Sequence, residues 1–538
     1  MHRGIVYIAD FFLDHILGGG ELNDNELIKM LRGQDCNVEL KQSHLVELED
    51  LIKKEDHFFI ISNFCNLSQP CRDWLANKAD YVIYEHDHKY LSSRNPAVHK
   101  DFKAPLAEIR NYFFYKNARR VITQSSFHKE IVEKNLGLKN TISISGNLWS
   151  TEFLEKLRQN SKEKKQDKCS ILNSKIEHKN TTGAIRYCEE KRLKYEVVAN
   201  NSYEEFLKQL GANKTLVFLP KTPETLSRIV VEARMMGMSV RTNSLVGACH
   251  EPWFELKGPL LIDYMIDKRQ EVLNIFKKLI ASPKRRKDKK EISIISTFHE
   301  GEKYLSGFLE NITEQTVFDK CELIIVDSNS SGRERQIIQN YIDKYDNIFY
   351  HRISTLEKPT PCLNLAIQKS EANYITFGLI DDRKSKTCLE ALLKEIKRSK
   401  VDLVYGSVAQ TSKDNEKFEE NDLKKLFSHS TLDFSRENMV KCLPGPMPLW
   451  TRTMHDRCGF FDEVNYNFAD DWEMWLRAVN SGCVFKKINK TIGLYLAGGR
   501  SQRENNIEQR KEESRLFFKY GHMFGRNFDA YKTYFQQF

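Results

Sequence analysis

At 538 residues the chain is too long for one ordinary core, and two or three domains are expected. Hydrophobic residues at 40% and aromatics at 11% exclude a disordered polymer. A charge of +9, from 83 basic against 74 acidic residues, suits an anionic substrate or surface without marking a nucleic-acid binder. The cysteines are scattered. Cys65 and Cys71, the nearest to a pair, match no zinc spacing, so free thiols in a reducing compartment are expected. The opening Met1-His-Arg-Gly-Ile-Val-Tyr-Ile-Ala-Asp reads as a strand rather than a signal peptide. No run approaches the roughly 18 uninterrupted apolar residues of a membrane span. The expected location is the cytoplasm, with peripheral contact with a membrane left open.

Along the chain, strands and helices alternate. Strands are predicted at 5–9, 58–62, 81–84 and 120–123, with helices over 25–31 and 107–118. A lysine-rich run, 162–168, precedes further βα units: strands at 169–173, 195–199, 216–219 and 239–243, and a helix over 226–236. This alternation implies an α/β class with mainly parallel sheets. Ser282-Pro-Lys-Arg-Arg-Lys-Asp-Lys-Lys290 reads as a solvated linker, a nucleic-acid or anionic-membrane patch being the other reading it admits. The expected organisation is therefore a module over 1–281 with subdomains 1–160 and 168–281, a basic linker over 282–290, a domain over 291–500 and a helical, aromatic-rich tail over 501–538.

The domain over 291–500 carries an ordered series of acids. A strand over 291–298 leads to a helix-like run through Tyr304, Leu305, Phe308 and Leu309. A second strand, from Leu323, ends on Asp327, and a third, from Tyr374, runs into Asp381-Asp382. Asp470-Asp471 stands at the mouth of a helix whose Trp472, Trp475, Leu476 and Val479 share one face. Acids at the carboxyl ends of strands lie where open α/β sheets bind ligands. Moving a sugar from a nucleoside diphosphate needs a nucleotide pocket, positive charge opposite the leaving diphosphate and a base for the acceptor hydroxyl. Mg²⁺ or Mn²⁺ commonly supplies the charge, held by one or two carboxylates. Asp381-Asp382 suits that role, or marks a strand-to-turn transition. Asp471 reads equally as a helix cap and as a carboxylate kept ionised by the helix dipole.

Taken together, 291–500 resembles the family 2 glycosyltransferases, inverting enzymes of GT-A fold. The opening strand with Thr297 looks like the family's nucleotide-binding strand. Val326-Asp327-Ser328-Asn329-Ser330 looks like its Val-Asp-Asp-Gly-Ser turn, which implies that Asp327 contacts the base. Lys358-Pro-Thr-Pro-Cys-Leu-Asn364 is similar to the segment ending in Arg-Asn, with Cys362 or Leu363 where Arg is usual. Phe377-Gly-Leu-Ile-Asp381-Asp382 occupies the place of Asp-X-Asp-Asp, with Leu379 in place of the first Asp. The resemblance implies Asp381 as metal ligand, Asp382 in donor binding and, through Phe461-Asp462-Glu463 and Asp470-Asp471-Trp472, Asp471 as catalytic base. Arg383 and Lys384 read either as positive charge toward the diphosphate or as exposed residues.

Upstream, Gly18-Gly19-Gly20 precedes a helix, where glycines let backbone approach an anion or simply form a flexible turn. Glu224 and Glu232, eight apart, span the end of a loop and the helix after it, and Gly237 ends that helix. This block resembles the Glu-x7-Glu segment of family 4 glycosyltransferases, retaining enzymes of GT-B fold. The likeness implies Glu224 as the catalytic-site acid toward the donor sugar, Glu232 toward the ribose, and Lys175 and Lys179 toward the diphosphate, beside Gly19 and Gly20. Glu85-His86-Asp87-His88 reads as a polar loop, an acceptor-side histidine or a metal cluster.

The expected function is hexosyl-type transfer from nucleotide-sugar donors to a glycan, lipid-linked or protein-linked acceptor. Transfer is expected to be inverting and Mg²⁺- or Mn²⁺-dependent in the C-terminal domain and retaining in the N-terminal module. The alternative is a single transferase with an N-terminal acceptor-binding or scaffolding module. No nucleic-acid partner is expected, and oligomeric state is left open.

Overall fold

A computed structural model describes residues 3–199, 202–282, 289–498 and 507–538. It divides into two compact units, Met1–Ala104 with Tyr112–Arg286, and Pro105–Asn111 with Lys287–Phe538. Most of the basic stretch read as a linker, 283–288, lies outside the described residues, as does 501–506 of the tail. Among the described residues no helix is long and apolar enough to cross a membrane.

The first unit is α/β with two parallel sheets. One contains β1 (Ile5–Ala9), β2 (Val38–Gln42), β3 (Phe58–Ile61), β4 (Asp80–Tyr84), β5 (Val121–Thr123) and β6 (Thr141–Ser143), in the order β2-β1-β3-β4-β5-β6. Strands such as Ile-Val-Tyr-Ile-Ala and Phe-Phe-Ile-Ile are buried throughout, as a sheet covered on both faces requires. The other contains β7 (Gln166–Leu172), β8 (Tyr195–Val198), β9 (Asn213–Val217) and β10 (Ser239–Arg241), in the order β10-β9-β7-β8. One long helix, Pro259–Ala281, joins their cores. Leu261, Ile262 and Met265 pack in the second, and Val272, Leu273 and Phe276 in the first.

In the first sheet β2 and β3 flank β1 on opposite sides, so the chain reverses direction at the carboxyl end of β1. Crevices at such reversals receive ligands. The helix there is longer than its apolar period predicts, running Gly19–Arg32 with Gly18 as cap. Polar residues hold the extra turn. Leu148 N donates to Asn23 Oδ1 at 2.7 Å, and Asp24 accepts from Tyr7 (2.7 Å) and Ser62 (2.5 Å) hydroxyls. The predicted helix over 107–118 is instead a 3-10 turn, Leu106–Glu108, and a short helix, Tyr112–Asn117. Asn111 separates them with φ 56°, and backbone bonds hold 106–111 to the second unit: Asn111 N to Asp456 O (2.9 Å) and Phe460 N to Leu106 O (3.2 Å).

The second unit holds β11 (Ile292–Phe298), β12 (Cys321–Ser328), β13 (Ile348–Ile353), β14 (Tyr374–Phe377), β15 (Arg383–Lys384), β16 (Leu403–Thr411), β17 (Leu449–Thr451) and β18 (Phe485–Leu496). Their order is β13-β12-β11-β14-β17-β16-β18-β15. The first four run parallel, β17 is antiparallel to β14 and β16, and β18 returns parallel to β16. β11 again stands at a reversal, between β12 and β14. The acids read from the sequence follow or end these strands. Helix Asp470–Asn480 packs Trp475 against Phe377 of β14, centroids 6.2 Å apart. The tail helices Ile507–Lys519 and Arg526–Phe535 close on each other through Phe517, stacked on Phe528 (4.8 Å) and Phe535 (4.4 Å), and on Trp472 through Phe535 (6.2 Å).

Candidate active site

Thr297 is half-buried near the end of β11, opposite Val326 of β12. Asp327 is buried at the end of β12, where Oδ1 accepts from Ser330 N (2.8 Å) and Oδ2 from the Tyr350 hydroxyl (2.6 Å) of β13. The carboxylate thus has a fixed orientation before any ligand arrives. Ser328 continues the line. Its hydroxyl meets Glu357 O (2.9 Å) and N (2.7 Å), just before helix Pro359–Lys369.

Asp381 and Asp382 differ sharply. Asp382 is buried, and its Oδ1 accepts from Leu496 N at 3.0 Å, so it ties the loop after β14 to the end of β18. Among the described residues its Oδ2 has no hydrogen-bond partner, and burial, then the charge of Asp381, pushes its carboxyl well above the usual range. Asp381 is half-buried, with its pKa raised by burial and partly brought back by a backbone hydrogen bond and then by Arg383. Arg383 and Lys384 are themselves buried in β15. The Arg383 guanidinium donates to Ile380 O (2.9 Å) and Asp382 O (2.7 Å).

The acidic pair starts helix Asp470–Asn480, whose cap is Ala469 rather than either Asp. Asp470 Oδ2 accepts from Thr360 Oγ1 at 2.6 Å, which joins the pair to helix Pro359–Lys369. Asp470 Oδ1 accepts from Asp471 N (3.0 Å), and Asp471 Oδ1 from Trp472 N (2.6 Å). The Cys442 thiol lies 3.5 Å from Asp471 Oδ2. Burial and then the neighbouring Asp470 raise Asp471 from 3.8 to about 7. A carboxylate of that basicity can take a proton from a hydroxyl that is losing it in a transition state.

In the first unit Gly19, Gly20, Lys179 and Glu224 come together in one cleft, a cavity of ≈ 360 Å³ also lined by His86, Gln124 and Arg228. Lys179 Nζ contacts both oxygens of Glu224, at 2.8 and 2.9 Å. His86 Nε2 lies 2.7 Å from Asp24, and its Nδ1 2.8 Å from Gln124. Two buried lining groups, Asn147 Oδ1 and Ser227 Oγ, have no hydrogen-bond partner among the described residues, and Ser227 starts helix Arg228–Met235 at φ 74°. Glu232 lies one turn further on, fully buried, accepting from Trp149 Nε1 (2.8 Å), Tyr203 Oη (2.5 Å) and Arg228 Nε (3.2 Å). Lys175 is exposed and outside this lining.

Residues 293–461 match the family model described as Glycosyl transferase family 2. This segment is a glycosyl transferase family 2 domain. An uncharacterized glycosyltransferase of Haemophilus influenzae is 29% identical over 118 residues, 22% of this chain and 47% of that protein. The chain thus spans about half the length of that relative. An uncharacterized glycosyltransferase of Methanocaldococcus jannaschii is 23% identical over 235 residues, 42% of this chain and 77% of its own. Among solved structures, S. aureus TarS 1-349 in complex with UDP-GlcNAc aligns at TM-score 0.37 and 15% identity, over 45% of this chain and 73% of that one.

Within the family 2 domain, Asp381 is the more exposed acid of the Asp-Asp pair, and burial has already raised its pKa. A cation there would relieve that cost, and one carboxylate plus substrate phosphate oxygens is an ordinary Mg²⁺ set. No cluster of three or more His, Cys, Asp or Glu forms a ready-made metal cage among the described residues. Sequence reasoning missed Tyr350, Thr360, Cys442 and Glu512, a residue of the tail helix that reaches the loop before Asp470. Only Glu512 left a trace there, as a charge in register with the apolar positions Leu516, Phe517 and Tyr520.

Proposed function

We propose that the second unit transfers a hexosyl group, with inversion, from a nucleoside-diphosphate sugar to a hydroxyl of a glycan, lipid-linked or protein-linked acceptor. Asp471 takes the acceptor proton. The freed oxygen bonds to the anomeric carbon from one face while the bond to the diphosphate oxygen breaks on the other, and the nucleoside diphosphate leaves with that electron pair. Asp327 and Thr297, at the ends of neighbouring strands, face the nucleoside. Asp381 would hold Mg²⁺ or Mn²⁺, which when bound offsets the charge growing on the departing diphosphate. Asp382 acts through the backbone by fixing the loop on which Asp381 stands. The observation that carries this reading is the raised pKa of Asp471, at the start of a helix tied through Thr360 to the segment following β12 and β13.

A second reading concerns the first unit: its cleft takes a second sugar nucleotide, for retaining transfer or for binding alone. The two unpartnered buried oxygens of Ser227 and Asn147 favour it, since such groups are costly unless a ligand or water meets them. Lys179, Gly19, Gly20 and the start of helix Arg228–Met235 then meet the diphosphate, with Glu224 at the sugar, and the buried Glu232 acts on the ribose side only by holding Arg228, which lines the cleft.

The test is nucleotide release from a panel of sugar nucleotides, with Mg²⁺ or Mn²⁺ and with EDTA, for wild type, Asp471→Asn and Glu224→Gln. Metal-dependent release lost in Asp471→Asn is expected, and undiminished release there refutes the base. A second donor lost only in Glu224→Gln assigns the first unit its own activity; one donor alone leaves that unit a binding module.

A further inference from the structure

The tail helix Ile507–Lys519 lies beyond the matched 293–461 segment, yet it sends a carboxylate to the backbone that carries the acidic pair. Glu512 Oε2 accepts from Phe468 N (2.9 Å), Ala469 N (3.0 Å) and Asn467 N (3.1 Å), and Oε1 also accepts from Asn467 N (2.9 Å). These N–H groups immediately precede helix Asp470–Asn480, where free donors and the positive end of the helix dipole attract an anion. Glu512 is 5% exposed, and among the described residues no cation pairs with it. Its charge is therefore held by backbone donors alone, a use of a buried carboxylate that is costly unless position is what it supplies.

The same helix grips the preceding residues as well. Arg515 donates to Asn465 O at 3.2 Å and lies over the Tyr466 ring at 5.4 Å. Lys358 Nζ also reaches the side chain of Asn467, at Oδ1, at 2.8 Å. The backbone over 465–469 is thus held by the tail helix, and the residues it delivers next are Asp470 and Asp471.

We infer that Glu512 is a positioning residue for the proposed base: by gathering the N–H groups of Asn467, Phe468 and Ala469 it sets where Asp471 stands relative to the acceptor hydroxyl, which makes the tail helix a working part of the transferase. The inference rests on the reading of Asp471 as base. It predicts a specific kinetic pattern, because the donor residues Thr297, Asp327 and Asp381 stand on other elements. Displacing the base slows the chemical step and leaves donor capture intact.

The experiment uses the full chain and the donor identified in the panel, comparing wild type, Asp471→Asn, Glu512→Ala and Glu512→Gln by steady-state nucleotide release. In Glu512→Gln an amide oxygen in the place of Oε2 keeps the Phe468 and Ala469 N–H partners and the longer of the two bonds from Asn467. The expected result is a kcat about a hundredfold lower in Glu512→Ala, with donor KM unchanged within about twofold, and most of the kcat regained in Glu512→Gln. If Glu512→Ala does not accumulate folded, Glu512→Asp, which withdraws the carboxylate by one methylene, takes its place under the same criterion. A kcat kept within about twofold in the shortened variant, or an equal loss in Glu512→Gln, overturns the inference. Activity retained in Asp471→Asn instead removes the base reading, an outcome read from a different variant.

Discussion

Asp470→Asn separates the two causes that make Asp471 basic. Burial is the larger and the charge of Asp470 the next, and together they lift Asp471 from 3.8 to about 7. The amide keeps an oxygen for Thr360 but removes the negative charge, and with it the repulsion that resists ionisation of Asp471. Because burial stays, only part of the rise is returned, about one pH unit. The pair titrates as a unit, so the observable is the acid limb of kcat/KM against pH, which reports the free enzyme. Wild type should lose activity below about pH 7, and Asp470→Asn below about pH 6. At pH 6 the base is then about half ionised in the variant and about one-tenth in wild type, so the variant runs about fivefold closer to its own plateau. The assay is initial-rate nucleotide release between about pH 5 and about pH 9 at fixed metal. A limb that stays in place, or moves to higher pH, refutes the coupling on which the reasoning rests.

Asp471→Asn should also stabilise the protein. The folded carboxyl holds its proton more tightly than the unfolded one, so its favourable contribution is complete below 3.8 and is lost as pH rises through about 7. The full shift corresponds to about 4 kcal/mol, which half-burial of Asp471 reduces to about 2 kcal/mol. Thermal unfolding should therefore show a higher midpoint for the variant near about pH 8 and no difference near about pH 3.5. Arg477→Leu should cost about 3–5 kcal/mol, since Arg477 meets buried Glu473 (2.8 Å) and Phe460 O (2.7 Å); a midpoint unchanged in thermal unfolding contradicts this. Asp381→Asn should raise the Mg²⁺ or Mn²⁺ concentration for half-maximal activity by more than about tenfold, measured by metal titration of nucleotide release.

The strands whose ends carry the acids were legible because each is a short apolar run closing on a carboxylate. β12 and β14 are read from Leu323 and Tyr374 onward, and β11, which ends on no acid, from Glu291, all with boundaries within a few residues. β18 was not, because Lys486, Lys487, Asn489 and Lys490 break the apolar pattern of a strand whose register slips against β16 at Gly406 and Ser407. The helix expected over 107–118 fails at Asn111, where a left-handed backbone serves a tertiary contact rather than local propensity. Among the candidate site residues, the positions of Asp327, Asp381 and Asp471 after strands or at a helix start were legible. The inward turn of Asp382 was not, since it depends on Leu496, more than a hundred residues away. Thr360 and Tyr350 are ordinary residues until the fold aims their hydroxyls at acids.

The assignment of Pro105–Asn111 to the second unit bears on how the molecule is made and cut. On the ribosome this heptapeptide emerges long before Phe460 and Arg477, whose backbone and guanidinium it later meets through Leu106 O (3.2 Å) and Ala107 O (3.4 Å). Its bonds to them therefore form only after residue 477 has been synthesised. A gene split at the basic stretch would leave every acid of the proposed site on the C-terminal fragment and one piece of that unit's scaffold on the other polypeptide. Adding that segment back as a free peptide is the natural way to ask whether the fragment regains its heat resistance.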